Sequence, residues 1–400
     1  MQHKIFFSYQ LLIPLLFISI TIGMILFPSA TLIGASTGLE IFFFSILPAL
    51  LPFLIISEIL MGLGVVHFIG TLLEPLMRPL FRIPGVGAFT LAMSLASGYL
   101  TGAIITARLR KYQMCTRVEA ERIIAVTNVS NPIFILASVA VGMFHKPEIG
   151  LTLALAHYLA CILVGLVFRF HGYKEESSEP KPKLNNILIR SWQEMQQARY
   201  SDGRPLGQLM GESVQQGINS VLVIGGFLVL FSVISNMLNV TGCINLLSHA
   251  LAKLLPLFDE HLFPGFLNGI VEVTLGCSLI SNSLAPLEQK ILLVSTIIAW
   301  SGLSVHAQVL SIIGRTDIRL LPYFSARILH AFFATALSLI MLTPDNLFQR
   351  TIPTLAQQPS LTQAWNISLQ LFLGALGILL LLSLIIFWQK KIKLIICKTK

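Results

Sequence analysis

Charge is what this sequence has least of. Asp, Glu, Lys and Arg make up 11% of its 400 residues, against about 25% in soluble domains. Hydrophobic residues reach 55% and mean hydropathy is +0.80. That balance excludes an ordinary water-soluble domain and fits a polytopic membrane protein, whose apolar surface faces the lipid bilayer. Cysteine is sparse: Cys115, Cys161, Cys243, Cys277 and Cys397 are scattered without a CxxC pair, so spacing indicates neither a disulfide framework nor a zinc site. The runs GxxxxGKS, GxxxxGKT, HExxH and GxSxG are missing, which removes the motifs of ATP motors, zinc proteases and serine hydrolases. No nucleophile stands with its base, so neither an enzyme, a cofactor nor a metal is expected. The net charge of +9 lacks the aromatic and basic interleaving of a nucleic-acid surface. No nucleic-acid partner is expected, and the excess reads as loop charge on one membrane face.

What is there is a series of apolar runs. Stretches 11–27, 40–61, 119–144, 149–170, 214–239, 287–313, 319–343 and 367–388 each approach the length that spans a bilayer. The first reads as a membrane helix or signal anchor, because no convincing small-x-small cleavage site follows it. Two shorter stretches, 84–106 and 262–284, carry Gly and polar residues at their centres, in "SLASGYLTGA" and "GIVEVTLGCSLISNS". They read as re-entrant hairpins. Amphipathic stretches at 66–82 and 243–257 precede them and read as interfacial. The segment 171–213 reads as a hydrophilic loop with partial helix near 187–199. With both termini inside and both hairpins returning to their own side, 20 of the 27 Lys and Arg residues fall in inner segments, as the positive-inside rule requires. The expected fold is therefore an all-α polytopic membrane protein with about 8 transmembrane helices and two re-entrant helical hairpins.

The order span, interfacial stretch, hairpin, broken span, span occurs twice. Gly102 and Gly276, Gly142 and Gly314, and His157 and His330 recur at spacings of 172–174. Each unit holds an odd number of crossings, so the second copy is expected to be inverted, a common plan of secondary transporters. The expected units are 1–35 (membrane helix and linker), 36–170 (first repeat), 171–213 (cytoplasmic loop), 214–345 (inverted second repeat) and 346–400 (membrane helix and basic tail).

The candidate site follows from the breaks. "TNVSNPIFIL" (127–136) places Asn128, Ser130, Asn131 and a Pro inside an apolar run. Pro removes a donor and pushes its predecessor out of helical geometry, and non-helical backbone at membrane depth survives only inside protein or beside water. The matching break in the second half, "AWSGLSVHAQ" (299–308), supplies Ser301, Gly302, Ser304, His306 and Gln308. The hairpin tips add Ser97, Tyr99 and Thr101 from one half and Glu272, Thr274 and Asn282 from the other. Four interrupted elements meeting near the midplane would offer free N–H donors at half-helix ends. Glu272 is costly in an apolar hairpin and marks function, unless it partners a buried Arg or backbone donor. His157 and His330 serve either inter-helix hydrogen bonding or the site. Arg327 either balances Glu272 or a substrate carboxylate, or snorkels to the interface.

The runs "LLEPLMRPLFRIPGVG", "ASGY", "TNVSNP" and "EVTLG" resemble the sporulation integral membrane protein YlbJ (SpoVV) family over residues 35–345. They are also similar to the Gate, or nucleoside-recognition, domain and to the core of concentrative nucleoside transporters. Leu100 departs from the pattern, standing where the family is expected to carry Pro after Gly-Tyr. The resemblance implies a carrier moving dipicolinic acid from the mother-cell cytoplasm across the outer forespore membrane. Separate machinery then imports it into the spore core. The implied substrate, dipicolinate, is a small aromatic dianion. A nucleoside or nucleobase carrier, or a non-transporting scaffold of spore-envelope assembly, are the other readings. The coupling ion and a homo-oligomeric state stay open.

Overall fold

The computed structural model describes residues 14–173 and 187–342, apart from Leu16. The expected span 367–388, the tail 389–400 and residues 174–186 of the hydrophilic segment lie outside the described residues. Among the described residues the secondary structure is helical, with no strand. Helix α1 (Pro28–Ile41) passes through a π-helical turn, Phe42–Ile46, into α2 (Leu47–Gly62), followed by α3 (Val65–Phe81). Next come α4 (Val86–Ser97), α5 (Tyr99–Lys111), α6 (Arg117–Thr127), the π-helical segment Phe134–Met143 and α7 (Glu148–Phe168). The second half runs through α8 (Ile187–Asp202), α9 (Leu206–Val240), α10 (Cys243–Leu254), α11 (Phe263–Val271) and α12 (Val273–Asn282). It closes with α13 (Leu287–Trp300), α14 (Gly302–Ile313) and α15 (Leu320–Met341).

Among the described residues four helices are long and apolar enough to cross a membrane: α7, α9, the run Leu287–Ile313 and α15. The number rises to six if each of two bent pairs is one span, Phe17–Leu26 with Pro28–Phe44 at 107° and Leu50–Gly62 with Val65–Phe81 at 82°. The segment 28–35, expected as linker, is helical, with Pro28 in the first turn where its missing N–H has no helical partner to lose. Helix α9 begins at Leu206, earlier than the apolar run at 214, and its 35 residues extend about 50 Å. Its polar first turns therefore project past a hydrocarbon core of about 30 Å. Gly34 and Gly38 let α1 lie against α9, since a Cβ at either would sit 2.8 Å from the Cα of Val233 or Val229.

Two helix pairs whose arms pack on each other are broken at one residue, and the run α13–α14 is broken likewise at Ser301. Between α4 and α5 stands Gly98 at φ 103°, ψ −167°, a region that favours glycine. Between α11 and α12 stands Glu272 in extended conformation, φ −141°, ψ 117°. In each pair the arms cross at a glycine. A Cβ on Gly102 would meet Ser94 Oγ and the Thr127 carbonyl at 2.5 Å, and one on Gly276 would collide with Gly269 Cα.

At one end of the bundle the ends of α2, α3, α5, α6 and α7 are joined by polar contacts. Glu119 closes a capping box with Thr116 at the start of α6 and pairs with Arg78 at 2.6 Å. Arg122 donates to the carbonyls of Arg82 and His171. Arg108 pairs with Glu58.

Candidate functional site

Four chain breaks meet at one cavity. Its volume is about 130 Å³, and it is lined by Ser97–Leu100, Ser130 and Asn131, Glu272–Thr274, and Ser304 with Gln308. Ser138, Ile224 and Leu228 complete much of the wall. Local chemistry explains each break. Asn131 Oδ1 accepts from the Phe134 amide at 2.7 Å, capping the helical segment after Pro132. Its Nδ2 donates to the Ser97 carbonyl at 3.3 Å, which ties this break to the tip between α4 and α5. Ser97 Oγ donates to Thr101 Oγ1 at 2.5 Å, and the Tyr99 hydroxyl donates to the Ile298 carbonyl at 2.7 Å. Glu272 is N-cap of α12, its Oε2 accepting from the Leu275 amide at 2.7 Å. Ser301 and Gly302 hold φ of 81° and 79°, and Gly302 abuts the Glu272 break, where a Cβ would lie 3.1 Å from the Val273 amide nitrogen.

Of the candidate residues, Ser97, Tyr99, Ser130, Asn131, Glu272, Thr274 and Ser304 line the cavity, with Gln308 beside them. Asn128, His157, His306, Arg327 and His330 form a buried layer behind it. Arg327 is 0% exposed, so it does not snorkel. Its guanidinium donates to the Asn128 carbonyl, to the Ala125 carbonyl at 2.6 Å and to His330 Nδ1 at 3.0 Å. His330 Nε2 then faces the His157 carbonyl at 2.9 Å, and the Ser130 amide donates to His157 Nε2 at 3.0 Å. These contacts assign an Nε2–H tautomer to His330 and an Nδ1–H tautomer to His157. Both histidines therefore serve inter-helix hydrogen bonding. Glu272 and Arg327 form no ion pair among the described residues. Asn282 lies at the far end of α12, bonded to the Ser278 carbonyl. Thr101 and Ser301 are buried but stand outside the cavity wall.

Tyr323 is the residue that the sequence reading missed. Its hydroxyl meets His306 Nδ1 at 2.8 Å and receives Asn128 Nδ2 at 3.4 Å. The available signal was its position one turn before Arg327 in an apolar run. Tyr158, which donates to the Ser130 carbonyl at 3.0 Å, and Ser138 carried no comparable signal.

Residues 43–171 match the Gate family model, described as nucleoside recognition. The sporulation integral membrane protein YlbJ of Bacillus subtilis (strain 168) is 42% identical over 342 residues, 84% of this chain and 83% of that protein. This chain belongs to the sporulation integral membrane protein YlbJ family. An uncharacterised protein of Alkalihalophilus pseudofirmus is 31% identical over 129 residues, 31% of this chain and 26% of that one. No solved structure matches the chain. For this YlbJ-family chain, the Gate match covers the breaks at Gly98 and Asn128–Asn131, and the breaks at Glu272 and Ser301 lie beyond it. The family and the apolar helices fit a transporter or scaffold of the sporulating cell's membranes rather than an enzyme.

Proposed function

We propose that the chain is a secondary transporter of the sporulation pathway, carrying dipicolinic acid from the mother-cell cytoplasm across the outer forespore membrane by alternating access. The observation that supports this reading is the convergence of broken helices from both halves on one cavity, whose largely apolar wall carries Ser130, Asn131, Glu272, Ser304 and Gln308. Single-span packing does not need such breaks, whereas a carrier needs backbone donors and movable half-helices at mid-depth. In this reading α4–α5 and α11–α12 are re-entrant hairpins, 36–170 and 214–345 are inverted repeats, and eight spans include 367–388. Both termini then face the cytoplasm. The hairpins would move against the longer spans, and assembly into a homo-oligomer would proceed through the latter.

The substrate turns on Glu272. It is the acidic side chain in the cavity wall, while Arg327 acts from behind Asn128. A dianion must therefore take its direct hydrogen bonds from neutral donors such as Ser130, Asn131 and Gln308, and must tolerate the carboxylate. That same carboxylate favours a second reading, a nucleoside carrier, because it would accept from ribose hydroxyls.

Uptake of labelled dipicolinate and labelled uridine into proteoliposomes, with Glu272→Gln alongside, separates the two. Gln keeps a cap oxygen and removes the charge. For dipicolinate, KM should fall by at least about threefold, since a like charge is taken away at short range. For uridine, KM should rise by about tenfold or more with loss of a charged acceptor. Uptake of neither by folded protein would overturn both readings in favour of the scaffold.

A further inference from the structure

A second cavity adjoins the central one. Its volume is about 430 Å³, and its wall runs from Gln308 and Ile224, which also line the central cavity, past Ser311 and Ile312 to Lys111, Arg108, Arg315 and Thr316. No acidic side chain is in this wall. Arg108 is answered by Glu58 behind it. Lys111 and Arg315 are exposed, and among the described residues neither enters an ion pair. The neighbouring Asp317 does not offset them, because both of its carboxylate oxygens are taken by Arg110, at 2.8 and 2.7 Å. The result is a funnel with uncompensated positive charge at its mouth and an amide, Gln308, at its floor. Clefts of one sign with low-dielectric walls concentrate counter-ions.

We propose that this funnel is an anion-recruiting vestibule, in which Lys111 and Arg315 draw a small organic dianion toward Gln308 and the central cavity. Its role in transport rests on the carrier reading above; its charge selectivity does not. The vestibule supplies what the central wall lacks. Substrate is gathered by full positive charge where water still screens it, then passed to neutral donors where a strong ion pair would hold it too long.

The test uses the full chain in phosphatidylcholine nanodiscs, where both faces are open and no anionic lipid competes. Ser311→Cys places a thiol in the vestibule wall, and modification at that peptide is read by mass spectrometry. Sulfonatoethyl and trimethylammonioethyl methanethiosulfonates are compared, each normalised to its rate with a small free thiol. The anionic reagent should be favoured by about tenfold at low salt, the preference should collapse toward unity at about 1 M salt, and Lys111→Gln with Arg315→Gln should abolish it. Because the salt effect is read in Ser311→Cys alone, misfolding of the charge variants leaves the test intact. Equal normalised rates would overturn the vestibule. In proteoliposomes, the double charge variant should raise the KM for dipicolinate by about fivefold at low salt, with kcat within about twofold of the parent. An unchanged KM with the reagent preference intact would remove the vestibule's part in transport. No dipicolinate uptake by the parent chain, with the preference intact, would sink the carrier reading and leave the anion site standing.

Discussion

At the residue scale, Arg327 shows how one cation can organise a site without touching what the site holds. A lone buried charge is expensive unless its donors are answered. Here the answers are two main-chain carbonyls left open where α6 ends, at Ala125 and Asn128, and the ring nitrogen of His330. The helix break thus creates the acceptors that make the Arg tolerable, and the Arg satisfies carbonyls that the break orphaned. Arg327→Met should leave both carbonyls without a donor, at about 1–3 kcal/mol each. Arg327→Lys should recover part of that loss, since an ammonium can reach one carbonyl but lacks the guanidinium fork. Thermal unfolding in detergent checks the order wild type, Lys, Met. A Met variant as stable as the parent would show that the carbonyls find other partners and that Arg327 is no anchor.

At the element scale, the breaks are where sequence and structure agree most closely, and the reason is physical. Clustered glycine, proline and small polar residues in the middle of an apolar run weaken helical hydrogen bonding locally, although single prolines persist inside α2 and α3 at Pro52, Pro75 and Pro79. Gly98, Asn128–Asn131, Glu272 and Ser301–Gly302 were therefore visible before any packing was known. Which polar side chains then face the cavity was not visible, because that depends on which elements meet. Ser301 and Ser304 sit in one motif, yet Ser304 lines the cavity and the Ser301 hydroxyl is buried without a partner. Tyr323 and His306 come together only when α14 and α15 pack. The early start of α9 is not legible in the sequence because "LGQLMGESVQQG" lacks the apolar run that marks a span. Ser301 gives this distinction a test. It holds left-handed geometry at φ 81°, which costs an L-residue roughly 1–2 kcal/mol. Ser301→Gly should gain about 1 kcal/mol in thermal unfolding and leave uptake unchanged. A stabilised variant that no longer transports would place the Ser301 hydroxyl on the substrate's path.

At the scale of the whole molecule, two bidentate clamps join the first half to the loop after α14. Arg110 grips Asp317 with bonds of 2.8 and 2.7 Å, and Arg319 grips Glu121 at 2.7 and 2.8 Å while also donating its amide at 3.1 Å. Partners 207 and 198 positions apart are held together at one face, so any motion opening that face must loosen them. The two are unequal. Glu121 is fully buried, whereas the Asp317 side chain is half exposed and its ion pair contributes at most about 1 kcal/mol. The Arg110 hydrogen bonds hold the Asp317 carboxyl below its ordinary value. A depressed carboxylate contributes its stability above the unfolded value and loses it as pH falls through the folded one. Between about pH 5 and 8 this clamp therefore stays charged, and any pH dependence of transport in that range must come from elsewhere. Cys115 reports on the clamp. It is 2% exposed, and its carbonyl accepts from Arg110 at 3.0 Å. Asp317→Asn should quicken maleimide labelling of Cys115 by about twofold to fivefold, the range that a half-exposed pair can shift. The charge swap Arg110→Asp with Asp317→Arg should bring labelling back toward the parent rate, although Arg315 and Arg319 nearby oppose full recovery. Labelling indifferent to Asp317→Asn would mean that this face is held by Glu121 and packing alone, and that Arg110–Asp317 is a surface pair with no part in closing it.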